Sequence, residues 1–355
     1  MLKTRASSHH RPDDERPPAK RNAGAVRMAG RIAVWQAAVA AFALAALNGA
    51  TWAMIASCTL LGMTALRVRG RWIDRWLLIF LGYRARARVR RSATALAAIA
   101  PQLDTNEYRD PSGTVAGVLT DGPHWVVVLR VEGPVSPAPL VATLRSSVDP
   151  AGPVRAATVQ LVRWAVPRPS DPDATRRPVA TIAAWNVDWI AVRGPAGTSP
   201  TAAIRLATVL GAQGFSVRPL GQAELTAELA SSLGVAQANG AAVIARESWW
   251  SLSLGRLHHV TFRLIRPPRD PARLAHAVAW LAGPPSLSTC VSVLFGAAAE
   301  PVVAVRVAIP AGRSRREVRG ALRKALGPMK SHTRPMNGRH TDGILATLPL
   351  ATPSR

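Results

Sequence analysis

Cysteine is nearly absent: Cys58 and Cys290 are the only two in 355 residues. They lie far apart and neither has metal-ligand spacing, so a disulfide framework and a cysteine-based metal site are both excluded. Phosphate-cradling glycine loops are also missing. There is no Gly-x-x-x-x-Gly-Lys-Ser/Thr, no Gly-x-Gly-x-x-Gly after a strand-like run, no His-Glu-x-x-His and no Gly-x-Ser-x-Gly. ATP hydrolysis by this chain is therefore not expected. Lysine is scarce beside arginine, and acidic residues number 20 against 45 basic ones. Aromatics are lopsided, with eleven tryptophans but five phenylalanines and two tyrosines.

The net charge of +25 invites a nucleic-acid reading until it is divided by region. Residues 1–91 hold 17 of the 45 basic and 4 of the 20 acidic residues, so charge is densest at that end. It flanks an uncharged apolar run from Ile32 to Leu66 that is broken by Asn48-Gly49. Arg27 and Arg31 precede this run, and Arg67, Arg69, Arg71 and Arg75 follow it. A single helix over the run would measure roughly 50 Å against a hydrocarbon core of about 30 Å. Two shorter helices turning at Asn48-Gly49 fit better. Basic flanks at both ends predict a multi-pass anchor in the inner (plasma) membrane, with both termini and the main domain cytoplasmic. A cleaved signal peptide is disfavoured, because nine arginines follow the second apolar stretch.

The first helix carries Ala33, Ala37, Ala41 and Ala45, a small-residue stripe suited to close packing against another membrane helix. Past the run, Trp72, Ile73, Trp76, Leu77, Phe80 and Leu81 recur on one helical face. With the arginines they predict an interfacial helix over 69–91. The lipid-contacting set is Arg31, Arg67, Arg69, Arg71, Trp72, Arg75, Trp76, Arg84, Arg86 and Arg88. The Arg84–Arg91 stretch has no aromatic platform, so lipid rather than nucleic acid is its expected partner.

Organisation follows from composition. Residues 1–28 are rich in Pro, Arg and His and read as a disordered basic tail, 29–68 as the two spans, and 92–340 as an α/β (α+β) domain, with 341–355 a C-terminal tail. Within the domain, 114–220 and 248–340 each read strand, helix, strand, strand, helix, strand, and each ends in an Arg-Pro pair, Arg218-Pro219 and Arg334-Pro335. That order predicts two tandem ferredoxin-like βαββαβ units. His258-His259 sits in a strand pattern, so its rings point to opposite faces, one in the core and one solvated. Asp171-Pro172-Asp173 resembles the Asp-x-Asp clamp of nucleotide-sugar transferases, which supplies an alternative reading as a membrane-anchored glycosyltransferase-like enzyme. Asp188, on a Trp-flanked strand, reads as a satisfied edge residue.

The hairpin, the segment RVRGRWIDRWLLIFLGYRARARVRR and the domain opening DGPHWVVVLRVEG together resemble EccE, a membrane component of type VII (ESX) secretion systems, over Arg31 to about Leu326. The resemblance implies an accessory structural subunit without catalytic residues, cofactor or metal. It implies partners of the EccB, EccC (ATPase) and EccD types in a multi-copy complex. An anionic-lipid sensor acting through residues 67–91 is a further alternative.

Overall fold

The computed structural model describes residues 19–65, 67–68, 71–86, 89–149, 152, 154, 157–167, 184–234, 242–282, 287–296, 300–310, 315–327 and 331–352. The chain divides into two units, Met1–Leu81 and Gly82–Arg355.

In the first unit, α1 (Ala19–Leu47) and α2 (Thr51–Ala65) pack as a hairpin. Helix α1 begins inside the stretch read as a structureless tail, where Ala19, Lys20, Arg21 and Ala23 have high helix propensity. The turn is where Asn48-Gly49 places it. Ala50 N donates to Ala45 O (2.8 Å), Gly49 N donates to Ala46 O (3.4 Å) and Gly49 has φ +66°. This is a Schellman cap, and its left-handed position favours glycine. The sequence leads one to expect two crossing helices; among the described residues no helix is long and apolar enough to cross a membrane. The reason is length. Helix α2 has 15 residues, about 22 Å against a hydrocarbon core of about 30 Å. Helix α1 has 29, but its first half carries Lys20, Arg21, Arg27 and Arg31. Two two-residue strands, β1 (Arg67–Val68) and β2 (Arg71–Trp72), then pair and lead into α3 (Ile73–Arg86).

The second unit opens with β3 (Val89–Ser92) and α4 (Ala95–Ile99), whose N-cap Thr94 side chain accepts from Ala97 N (3.1 Å). One order of elements then occurs twice. The first set is β4 (Asp104–Arg109), β5 (Val115–Asp121), β6 (His124–Val131), α5 (Pro137–Ser147), β7 (Thr158–Pro167), β8 (Ala184–Pro195), α6 (Thr201–Ala212), β9 (Val217–Pro219) and α7 (Gln222–Ser232). The second is β10 (Val243–Glu247), β11 (Leu252–Leu254), β12 (Leu257–Ile265), α8 (Pro271–Leu281), β13 (Ser288–Phe295), β14 (Val302–Pro310), α9 (Arg315–Leu326), β15 (His332–Pro335) and α10 (His340–Thr347).

Strand pairing repeats as well. The leading strand β6 pairs β5, β8 and β9, while β12 pairs β11, β14 and β15. β7 pairs β8, and β13 pairs β14. The two sets meet where β7 and β13 run antiparallel, from Ala165↔Thr289 to Val159↔Phe295, which makes one mixed α/β unit built on a 13-stranded sheet. β3 lies at its edge beside β10.

Alternation along each strand assigns side chains to two cores. Val159, Leu161, Val291, Val293, Val303 and Val305 face α5, α6, α8 and α9, whose Leu140, Leu206, Leu274 and Leu322 are fully buried with them. On the reverse face, Val126, Val128, Val162 and Ala191 meet Leu225 and Leu229 of α7 and Ile344 of α10. Residues 341–352, read as part of a tail, are therefore helix and an extended segment inside the second core.

Candidate functional site

The hairpin shows where its apolar side chains go. Ala38, Ala45 and Ser57 are buried, with Phe42 and Met54 half-buried. Of the expected stripe, Ala45 lies in this buried set, while Ala33, Ala37 and Ala41 are exposed. A row of large apolar groups is exposed too, including Val39, Leu44, Ile55, Leu47 and Trp52, the last two at 83 %. An apolar surface of this extent marks a contact with lipid or another protein. On α3, Ile79 is buried and Trp76 half-buried, while Leu77, Leu78, Phe80, Leu81 and Arg84 are exposed.

Trp72 lies in β2, opposite Arg67, and Arg71 lies opposite Val68. Arg31 is on α1, and Arg75 and Arg86 are on α3. Arg69 and Arg88 fall outside the described residues, as do Asp171 and Asp173. Tyr83 meets Trp249 edge to face, ring centroids 5.6 Å apart, while Trp250 points outward.

In the second unit several polar groups are buried along the central strands. Arg163 and Asp188 form a two-pronged ion pair across β7 and β8 (Nε–Oδ1 2.8 Å, Nη2–Oδ2 2.6 Å). Asp188 is thus satisfied, but on a central strand. Trp164 and Trp189 stack on the opposite face, centroids 5.9 Å apart. His259 is fully buried and His258 half-buried, with its Nδ1 3.0 Å from Ser253 Oγ, as the strand alternation predicts. Burial, followed by the nearby Arg306, holds the His259 imidazole well below its ordinary pKa, so it stays neutral. Arg306 donates through Nη2 to Ser232 O (2.9 Å) and Cys290 Sγ (3.0 Å). Among the described residues no cluster of three or more His, Cys, Asp or Glu could hold a metal ion.

The densest polar arrangement holds the C-terminal segment, and sequence reading missed it. Gln160 is fully buried. Its Nε2 donates to Ala346 O (2.8 Å), while its Oε1 accepts from Leu350 N (3.1 Å) and Ala351 N (2.6 Å). Ser292 Oγ donates to the same carbonyl (2.6 Å), Thr261 N donates to His340 Nδ1 (3.3 Å), and Thr341 donates through N and Oγ1 to Glu247 (3.2 and 2.9 Å). Beside the segment is a cleft of about 700 Å³ lined by Asp121, His124, Arg193 and Asp342, with Arg193 and Asp121 paired (3.1 Å). The lone polar letters Gln160 and Ser292 inside apolar runs were the available signal.

Gly343 is the close-packed point of this arrangement. A Cβ there would lie 2.5 Å from Thr261 Cβ and press on its hydroxyl and on Met336 Sδ. Gly343→Ala is expected to lower stability by about 1–3 kcal/mol through overpacking, measured as a lowered thermal midpoint of the intact chain.

No curated protein matches the chain. A family profile does, over residues 184–264, from the start of β8 to Leu264 in β12, with α6, β9, α7, β10 and β11 between. The matched span is under a quarter of the chain and excludes the hairpin and both of the segments that carried the sequence resemblance. Residues 184–264 are thus similar to the family described as "Putative type VII ESX secretion system translocon, EccE".

Proposed function

We propose that the chain is an accessory, non-catalytic subunit of a type VII secretion translocon. The similarity of residues 184–264 to the EccE family carries this reading. The exposed apolar row of the hairpin supports membrane attachment through α1 and α2, with flanking arginines at the headgroups. In this reading Ala33, Ala37 and Ala41 receive a helix of another subunit, since small residues allow close approach. The two sets of strands and helices act as tandem ferredoxin-like βαββαβ units. The repeated pairing of the leading strand with the third and fourth, and of the second with the third, supports that assignment. The arrangement serves assembly: a wide sheet offers surface to EccB-, EccC- and EccD-type partners in a multi-copy complex.

The test is gentle detergent extraction of the full-length chain from cells containing the secretion system. Co-migration with an EccC-type ATPase on a native gel is the expected outcome, weakened by Ala37→Leu with Ala41→Leu. Migration as a lone monomer would overturn the assignment.

A further inference from the structure

Charge is divided unequally between the two helical layers of the second unit. Helices α5, α6, α8 and α9 hold eight Arg or Lys and one acid, Glu317. Helices α4, α7 and α10 on the reverse face hold no basic residue and three acids, Glu224, Glu228 and Asp342. The reverse layer is largely neutralised by the sheet, since Arg218 binds Glu224 (2.7 Å) and Arg130 binds Glu228 (2.5 Å). The basic layer has one acid of its own. Arg205, Arg273, Arg319, Arg323 and Lys324 all point outward, and Arg316, Arg319 and Arg323 fall on one stripe of α9. The opposite side of α9 is anchored by buried Val318, Leu322 and Leu326. On α8 of the same layer Trp280 is 36 % exposed, and Leu287, just before β13, is 47 % exposed.

We propose that this helical layer is a docking surface for an anionic lipid bilayer, distinct from the hairpin and the juxtamembrane arginines. Three features select lipid over an acidic protein. The charge is arginine-rich and spread over a layer rather than gathered in a pocket. An exposed tryptophan, Trp280, lies in the same layer, a residue type favoured at headgroup depth. Each basic residue near an anionic surface adds attraction without a shaped partner. The inference needs only that the unit reach a bilayer, and it does not rest on the hairpin entering one.

The experiment uses the full-length chain with Cys58→Ser and Gly320→Cys, the latter carrying a fluorophore. A side chain at Gly320 meets no atom within 4 Å, so the label is tolerated on the exposed side of α9. Vesicles contain a headgroup quencher in phosphatidylcholine alone or with phosphatidylglycerol added. Quenching is expected only with phosphatidylglycerol and is expected to vanish at high salt. Arg319→Gln, Arg323→Gln and Lys324→Gln together are expected to lower the docked-to-undocked ratio on the order of a hundredfold, at roughly fivefold per charge. Flotation of the same sample with phosphatidylcholine vesicles at high salt reports the hairpin separately. Flotation without quenching would overturn the docking surface and leave the anchor standing. Quenching and flotation confined to anionic vesicles would support docking and remove the anchor. Quenching that is equal in both vesicle types, or absent from both, would overturn the proposal.

Discussion

Arg163→Ala is expected to destabilise the chain by about 3–5 kcal/mol, because it leaves Asp188 charged and buried without its partner. That is a large fraction of the roughly 5–15 kcal/mol by which domains are stable. The repeat supplies the control. Pro195 and Pro310 each pair with the first residue of their leading strand, His124 and Leu257. Seven residues back from each lie Asp188 and Val303. Asp188 pairs with Arg163 across the ladder, and Val303 pairs with Val293. One set therefore places an ion pair where the other places two valines, against the same core. The double change Arg163→Val with Asp188→Val is accordingly expected to recover most of the loss, since apolar replacement of a buried ion pair is often neutral or stabilising. Urea unfolding of the detergent-solubilised chain, followed by tryptophan fluorescence, measures both. A double variant as unstable as the single one would show that the pair does more than satisfy itself.

Truncation after Pro335 is expected to abolish folding of the second unit. Met336, Ile344, Leu348 and Leu350 are all buried, and at about 1.5–3 kcal/mol each their loss costs roughly 6–12 kcal/mol. The truncation also strands the Gln160 and Ser292 side chains, whose hydrogen bonds run to the removed segment. Buried polar groups without partners add further cost. Insoluble or protease-sensitive protein is the expected result, against a resistant intact chain. A soluble, cooperatively melting truncation would show that residues 336–352 are dispensable.

What could be read from the sequence depended on whether the physical signal was local. The hairpin turn was legible because Asn48-Gly49 interrupts an apolar run. Runs such as HWVVVLRV and VVAVRVAIP showed as strands because β-branched residues between Gly and Pro have few other folds. The edge strand DTNEYR stayed hidden because only Thr105 and Tyr108 turn inward, too few to set a period. The C-terminal helix HTDGILAT is eight residues long with glycine inside it, and its burial comes from partners more than 50 residues away. The Arg163–Asp188 pair and the Gln160 clamp are products of register, which no single strand encodes.

The placement of β3 bears on the order of events during synthesis. Val89–Ser92 leaves the ribosome before any other strand of the sheet, yet its partner Val243–Arg246 follows more than 150 residues later. Chains fold broadly from the N-terminus as they emerge, and contacts distant in sequence close last. The first strand of the sheet in chain order is thus made first and fixed last. Throughout that interval the N-terminal helices have no ladder tying them to the sheet, and they are free to find their own surroundings before the domain closes over its edge.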